Sequence, residues 1–228
     1  VVADGCEENL ATSEAACGAC GTVCPSGFFC GAGVCDASLG IVQIASGGSE
    51  SCAVRANGRL ACWGNGNLRP VAVAGVTDAL GADTGWNSRC VVRATGALSC
   101  VSGLTDAFQV AMGGYLLDGH GCALRSTGEV ACWGENPEGQ LGNGTTTNSL
   151  AIPVAVSGLS DAIHVAAGGA HTCAARATGQ AVCWGYDYDG RLGDGRSGAG
   201  VRSTTPTLVL GLTDAIAVAA SGGYVTTD

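Results

Sequence analysis

From residue 39 onward the chain alternates short apolar runs with glycine-rich breaks, and one pattern keeps returning. Its clearest element is an eleven-residue segment bounded by cysteines. It reads CAVRANGRLAC from Cys52 to Cys62, CVVRATGALSC from Cys90 to Cys100, CALRSTGEVAC from Cys122 to Cys132 and CAARATGQAVC from Cys173 to Cys183. The arms carry β-branched and small residues. The centre is always three residues ending in glycine, as in Ala56-Asn57-Gly58 and Ser126-Thr127-Gly128. Such a centre predicts a hairpin whose loop is a type I turn closed by a left-handed glycine. Each cysteine then faces its partner at the ~4.5–5.5 Å separation of opposed antiparallel residues, within disulfide reach. The spacing therefore predicts four intra-hairpin disulfides, 52–62, 90–100, 122–132 and 173–183. Each is worth about 3 kcal/mol in the chain-entropy picture.

The hairpin sits in a longer unit. Upstream stand Val76-Thr77-Asp78-Ala79, Leu104-Thr105-Asp106-Ala107, Leu159-Ser160-Asp161-Ala162 and Leu212-Thr213-Asp214-Ala215. An apolar strand and a glycine pair follow, as in Val165-Ala166-Ala167-Gly168-Gly169. Downstream comes Trp-Gly at Trp63, Trp133 and Trp184, then in two units a glycine-rich loop and a strand led by Pro153 or Pro206. The last two intervals between these signals are 55 and 53 residues. All-β units of that size predict a propeller-like array of antiparallel blades, in which neighbours bury the faces that one blade cannot bury alone. The units run 39–75, 76–103, 104–158 and 159–211, with a partial fifth at 212–228. The second is short and has Val101-Ser102 in place of Trp-Gly. The three Trp-Gly tryptophans are expected to be mostly buried between blades.

Composition supports this architecture and sets the compartment. The chain has 39 glycines among 228 residues, is 46% hydrophobic but only 5% aromatic, and its core must be built from small side chains. All ten basic residues are arginine, and the net charge is −9. There is no basic stripe for nucleic acid or anionic membrane surfaces, and no apolar run of the ~18 residues that span a bilayer. Fourteen cysteines suit an oxidising compartment, so an extracellular or cell-surface location is expected. The opening Val1-Val2-Ala3-Asp4 is not a signal-peptide pattern and reads as a mature or trimmed product.

Residues 1–38 read as a separate module. Cys6, Cys17, Cys20, Cys24, Cys30 and Cys35 suggest three disulfides, because so short a segment does not hold together by apolar burial alone. Fifteen connectivities are open. The Cys17-x-x-Cys20 spacing with Cys24 and Cys30 also suits zinc, although an oxidising compartment favours disulfides.

The string AAGGAHTCAARATGQAVCWGYDYDGRLGDG resembles a repeat of the regulator-of-chromosome-condensation family, and the resemblance extends over about residues 39–228. It implies a β-propeller, usually of seven blades, that binds proteins through loops on one face. A nuclear branch of that family promotes nucleotide exchange on a small GTPase, and a secreted bacterial relative inhibits a β-lactamase. Those activities reside in loop residues rather than in the repeat motif. The module at 1–38 resembles cysteine-rich segments found near such repeats in secreted bacterial proteins.

Candidate chemistry is sparse. His120 and His171 share one repeat slot with Glu50 and Ser88, and His164 shares another with Gln43 and Gln109, which reads as scaffold. No hydrolase elbow, paired-histidine metal motif or P-loop occurs, and no enzyme activity or cofactor is expected. Asp187, Asp189 and Asp194 are the candidate calcium ligands, set against an ordinary turn-rich loop. Arg55, Arg93, Arg125 and Arg176 each follow a cysteine by three, and the repeated aspartates are their available partners.

The expected function is a secreted, disulfide-stabilised, non-enzymatic protein-binding or scaffold protein. The alternative is a structural subunit of an extracellular surface or filament assembly. The expected contacts are loops 64–70, 135–149 and 186–204, and self-association through a strand at Ala215–Ala219 within 212–228.

Overall fold

The computed structural model describes residues 29–31, 34–36, 40–85, 88–114 and 119–221. Cys6, Cys17, Cys20 and Cys24 lie outside the described residues. Of the 1–38 module the backbone of one small ribbon is described: β1 (Phe29–Gly31) pairs with β2 (Val34–Asp36), with Cys30 opposite Cys35.

Among the described residues every regular element is a strand. The first large sheet holds β3 (Ile41–Gly47), β4 (Glu50–Arg55), β5 (Leu60–Gly64) and β6 (Asn67–Ala72). A two-stranded sheet follows, β7 (Ala79–Thr84) and β8 (Arg89–Arg93). Then come β9 (Ala107–Gly113), β10 (His120–Arg125), β11 (Val130–Gly134) and β12 (Ser149–Ala155). The last sheet holds β13 (Ala162–Ala167), β14 (His171–Arg176), β15 (Ala181–Tyr186) and β16 (Arg202–Leu208). The three four-stranded sheets are antiparallel meanders, and β7 and β8 form an antiparallel pair. The leading strands β3, β7, β9 and β13 pack side by side around a central space of ≈ 380 Å³. Meander sheets arranged radially in this way are the blades of a β-propeller.

The core is divided among the seams between blades. Val54, Leu60 and Val76 pack with Ala82 and Val91 between the first and second sheets. Val92 and Val110 pack with Ala123 and Trp133 between the second and third. Leu124, Val130, Leu141, Val165, Val182 and Trp184 close the third seam. Small side chains at these positions let the sheets approach, as the alanine-rich arms require.

One backbone link is repeated at every seam. The carbonyl of each turn glycine accepts the N–H of the alanine that opens the next unit: Gly58 from Ala79 (2.9 Å), Gly96 from Ala107 (2.9 Å), Gly128 from Ala162 (2.9 Å) and Gly179 from Ala215 (2.8 Å). The turn also reaches back to its own unit, where Ala94 donates to Asp78, Ser126 to Asp106 and Ala177 to Asp161. Above these bonds Arg93 pairs with Asp78, Arg125 with Asp106 and Arg176 with Asp161, at 2.6, 2.9 and 2.8 Å. Glycine is required at this turn for two reasons. Its φ is +84° at Gly128, and a Cβ there would stand 2.7 Å from the Ser160 carbonyl oxygen.

Two expectations change. In the second unit the return arm of the hairpin is reduced to a bridge between Val92 and Leu98, because no Trp-Gly segment and no outer strand follow to pair with it. The segment Ala215–Ala219 is not a strand. It lies where a fifth leading strand would lie, held by Ala215 to Gly179 and by Gly169 N–H to the Ser221 carbonyl (3.1 Å). A strand is defined by ladder partners, and residues 222–228, which would begin the next arm, lie outside the described residues.

Gly158 provides a control for the turn glycine. Its φ is +71°, but nothing lies within 4 Å of a Cβ placed there. Gly158→Ala should cost about 1–2 kcal/mol, the left-handed backbone alone. Gly128→Ala should cost about 3 kcal/mol or more, because it also forces the third and fourth blades apart. Urea unfolding of the two variants checks the difference.

Candidate functional site

Three of the disulfides join the second and third strands of their blade at facing positions, and the fourth, Cys90–Cys100, joins β8 to the irregular return arm. The Cα atoms are 4.1 Å apart for Cys52–Cys62, 4.0 Å for Cys122–Cys132 and 4.1 Å for Cys173–Cys183. The pair Cys90–Cys100, in the hairpin with the irregular return arm, is 5.0 Å apart. In the first, third and fourth units the chain beyond the cystine passes through Trp-Gly, where the ladder to the outer strand shifts by two residues in the first and fourth units and by three in the third. Gly134 has φ +108°, and a Cβ on it would stand 2.4 Å from the Gly119 carbonyl oxygen. The slip throws the chain outward and creates loops at the end of the blade opposite the hairpin turns.

Those loops are built around one buried amide or acid. In loop 135–149, Asn136 is fully buried. Its Oδ1 accepts the Leu141 N–H (2.9 Å), and its Nδ2 donates to the carbonyls of Thr145 (2.9 Å) and Thr147 (3.1 Å). Asp187 takes the same place in loop 186–204, where its Oδ1 accepts the Leu192 N–H at 2.9 Å. Each such side chain substitutes for a backbone partner, which is how a long loop satisfies its polar groups without a sheet. Loop 135–149 is also joined to the next blade. The Gln140 carbonyl accepts the Trp184 indole N–H (2.8 Å) and the Thr172 hydroxyl (2.9 Å). Trp133 and Trp184 are accordingly buried, each toward the preceding blade, while Trp63 in the first sheet is half-buried.

The calcium candidates separate. Asp187 serves Leu192, Asp189 pairs with Arg191 (2.9 Å), and Asp194 pairs with Arg196. Their carboxylates do not converge on one point. Among the described residues only Glu50, Cys52 and Cys62 place three such donor atoms together, and the two sulfurs there are bonded to each other.

The histidines are structural parts of the seams. His120 is buried, with Nε2 2.9 Å from the Thr172 hydroxyl. That hydroxyl gives its proton to Gln140, so His120 is the donor and carries its proton on Nε2. It is thus no base for Thr172. Burial, with the nearby His171 ring second, lowers its pKa to about 3. Burial, then the charge of Arg191, lowers that of His171 to about 4.

Gln43, Gln109 and His164, which share one repeat slot, bond across the seams. The Gln43 amide donates to the Ala82 carbonyl (3.0 Å) and accepts its N–H (2.9 Å), so the side chain acts as a short extra strand across the first seam. Gln109 does the same to Val165, at 3.0 and 3.1 Å. His164 accepts the Val218 N–H at 3.5 Å. The second unit has Gly81 in that slot, and Asp83 serves instead, accepting the Met112 N–H at 2.8 Å. Burial raises the pKa of Asp83, opposed by its bonds from Met112 and Thr84. The signal was an amide repeated on a strand face that otherwise carries small apolar side chains.

This geometry defines a β-propeller-type repeat protein: meander blades, bridged side by side at their leading strands, with structured loops on one face. Its repeats are those of the regulator of chromosome condensation (RCC1) type, matched at residues 127–175 and, in a second form of the repeat, at 41–68 and 162–191. Human HERC4, a probable E3 ubiquitin-protein ligase, is 40% identical over 87 residues, which are 37% of this chain and 8% of HERC4. Mouse HERC2, an E3 ubiquitin-protein ligase, is 30% identical over 184 residues, 77% of this chain and 3% of HERC2. The chain therefore spans a small fraction of the length of these relatives. The crystal structure of Prp20p from Saccharomyces cerevisiae superposes with a TM-score of 0.67 at 18% identity, covering 80% of this chain and 54% of that one.

Two outcomes follow from this site. Non-reducing peptide mapping should recover bridges 52–62, 90–100, 122–132 and 173–183, with none between hairpins. The fold should also lose stability in mild acid. Both histidines fold in the neutral form with pKa values below the unfolded 6.5, so their contribution is complete above pH 6.5 and falls as the pH drops toward 4 and then 3. Each should cost roughly 2 kcal/mol between pH 8 and pH 5. Melting curves over that range, with His171→Gln flattening the dependence, check the direction and the size.

Proposed function

We propose that the chain is a secreted, disulfide-stabilised, non-enzymatic protein-binding or scaffold protein, working through the loop face of its blades. The observation that carries this reading is loop 186–204. Tyr186 and Tyr188 stack with ring centres 6.0 Å apart, and the Arg191 guanidinium lies 6.0 Å above the Tyr186 ring. Tyrosine and arginine held in place beforehand are the side chains that dominate protein interfaces, because little entropy is lost when they dock. Loop 135–149 stands beside it, with Glu138 reaching Arg202 at 3.5 Å. The solved relative Prp20p is described by its binding to Gsp1p and histones, which supports protein recognition as the use of this fold. The ligase activity of the HERC relatives is not carried over, since the chain spans 8% of HERC4 and 3% of HERC2. Fourteen cysteines support the extracellular placement.

The alternative, a structural subunit, is favoured by the 212–228 segment, where the apolar Ile216 is exposed. A partner captured from native extracellular material should bind at 1:1, and Tyr188→Ala with Arg191→Ala should weaken it about tenfold or more. A partner held equally well by the double variant would overturn the loop-face reading. Large self-assembled species in light scattering would favour the structural one.

A further inference from the structure

The leading strand of every blade carries a bulge at one repeated position. The register of β3 on β4 slips between Ile41 and Gln43, that of β7 on β8 between Ala79 and Gly81, and that of β13 on β14 between Ala162 and His164. On β9, Ala107 faces Arg125 and Gln109 faces Leu124, so Phe108 is skipped. The bulged residues are thus Val42, Leu80, Phe108 and Ile163. A bulged residue has no cross-strand partner, and the local bend re-aims its side chain. All four are large, apolar and exposed, at 61, 63, 71 and 43%. Ile216 holds the same place in the fifth unit and is 82% exposed. The next residue on each strand shows no such uniformity: it is Gln43, Gly81, Gln109, His164 or Ala217.

These side chains form a row on one face. Phe108 and Ile163 flank a groove of ≈ 510 Å³ between the third and fourth blades, with Leu124 and Ala162 also lining it. Turn 126–128 lines the same groove, so the row lies on the turn face, opposite loops 135–149 and 186–204.

We propose that this row is a docking surface for a second copy of the chain, which it joins face to face about a two-fold axis. Charge selects the occupant. The chain carries −9, and two copies repel through most of their surface. The turn face is the exception. Its ion pairs Arg93–Asp78, Arg125–Asp106 and Arg176–Asp161 stand in the second, third and fourth blades beside the apolar row, and each sums to zero. The remaining charges of the turns and unit openings, Arg55, Arg59, Glu129 and Asp214, are two of each sign. A strongly acidic or basic partner finds no complement there, whereas a copy of the same face brings an equal apolar row and no net repulsion. A two-fold contact requires such self-complementarity. The surface is separate from the loop face, so either proposal can fail without the other.

Sedimentation of the 228-residue chain over a concentration series reads the dimer directly. The unaltered chain should pass from monomer to dimer, and added salt should not weaken the dimer, since it screens the repulsion between the two −9 copies and no attractive charge pair across the face is lost. Phe108→Asp and Leu80→Asp, each on an exposed side chain of a different blade, should each weaken the dimer about tenfold or more, with circular dichroism and melting unchanged. Leu68→Asp, on the 98%-exposed outer strand away from the face, should leave it intact. Three results overturn the proposal: a monomer at every concentration, a dimer indifferent to both face variants, or a monomer that takes up a different protein through Phe108.

Discussion

The contact on which the structure depends is the bond from each hairpin-turn glycine to the opening of the following unit. It places a carbonyl, a left-handed backbone and the absence of a Cβ at one point, and it recurs at Gly58, Gly96, Gly128 and Gly179. One blade of small residues has no interior of its own. Its apolar surface is buried only when the next blade is brought against it, and this bond sets where that blade begins. The arginine–aspartate pair above it is half-exposed and contributes under ~1 kcal/mol by itself. Its effect is to hold the turn and the unit opening in one orientation.

Everything on the loop face follows from the same stacking. Loop 135–149 is fixed from within by the buried Asn136 and, at its Gln140 carbonyl, by two donors from the next blade, Trp184 and Thr172. Its shape is therefore a property of two blades together. The buried histidines belong to that arrangement. His120 donates across the seam to Thr172, and burial without a compensating charge keeps both rings neutral. The two faces of the array differ in kind: one is structured by loops that brace one another, the other by bulges that turn apolar side chains out of the sheet.

Much of the blade was legible in the residues. The ten-residue cysteine spacing, with glycine closing a three-residue turn, describes the hairpin of the first, third and fourth units, because period-two strands and that turn leave one register; in the second, where no outer strand follows, the return arm keeps only the Val92–Leu98 bridge. The repeated Thr/Ser-Asp-Ala openings located the units, and the half-buried Trp63 beside the buried Trp133 and Trp184 follows from its place at the first sheet. Asp187, Asp189 and Asp194, calcium candidates set against an ordinary turn-rich loop, each point to a different partner. Closeness in sequence does not bring donors to one point when the backbone reverses between them.

The sequence by itself determined the hairpins, their cystine pairing and the all-β repeat, because each depends on contacts within some ten residues, where spacing dictates geometry. Only the tertiary structure decided what the Gln43 and Gln109 amides bind, that Asn136 and Asp187 organise loops, and that Val42, Leu80, Phe108 and Ile163 stand outside the sheet. Those outcomes depend on neighbouring blades and on one-residue slips in a ladder. A slip of one residue moves a side chain from the buried face to solvent without changing a letter of the sequence.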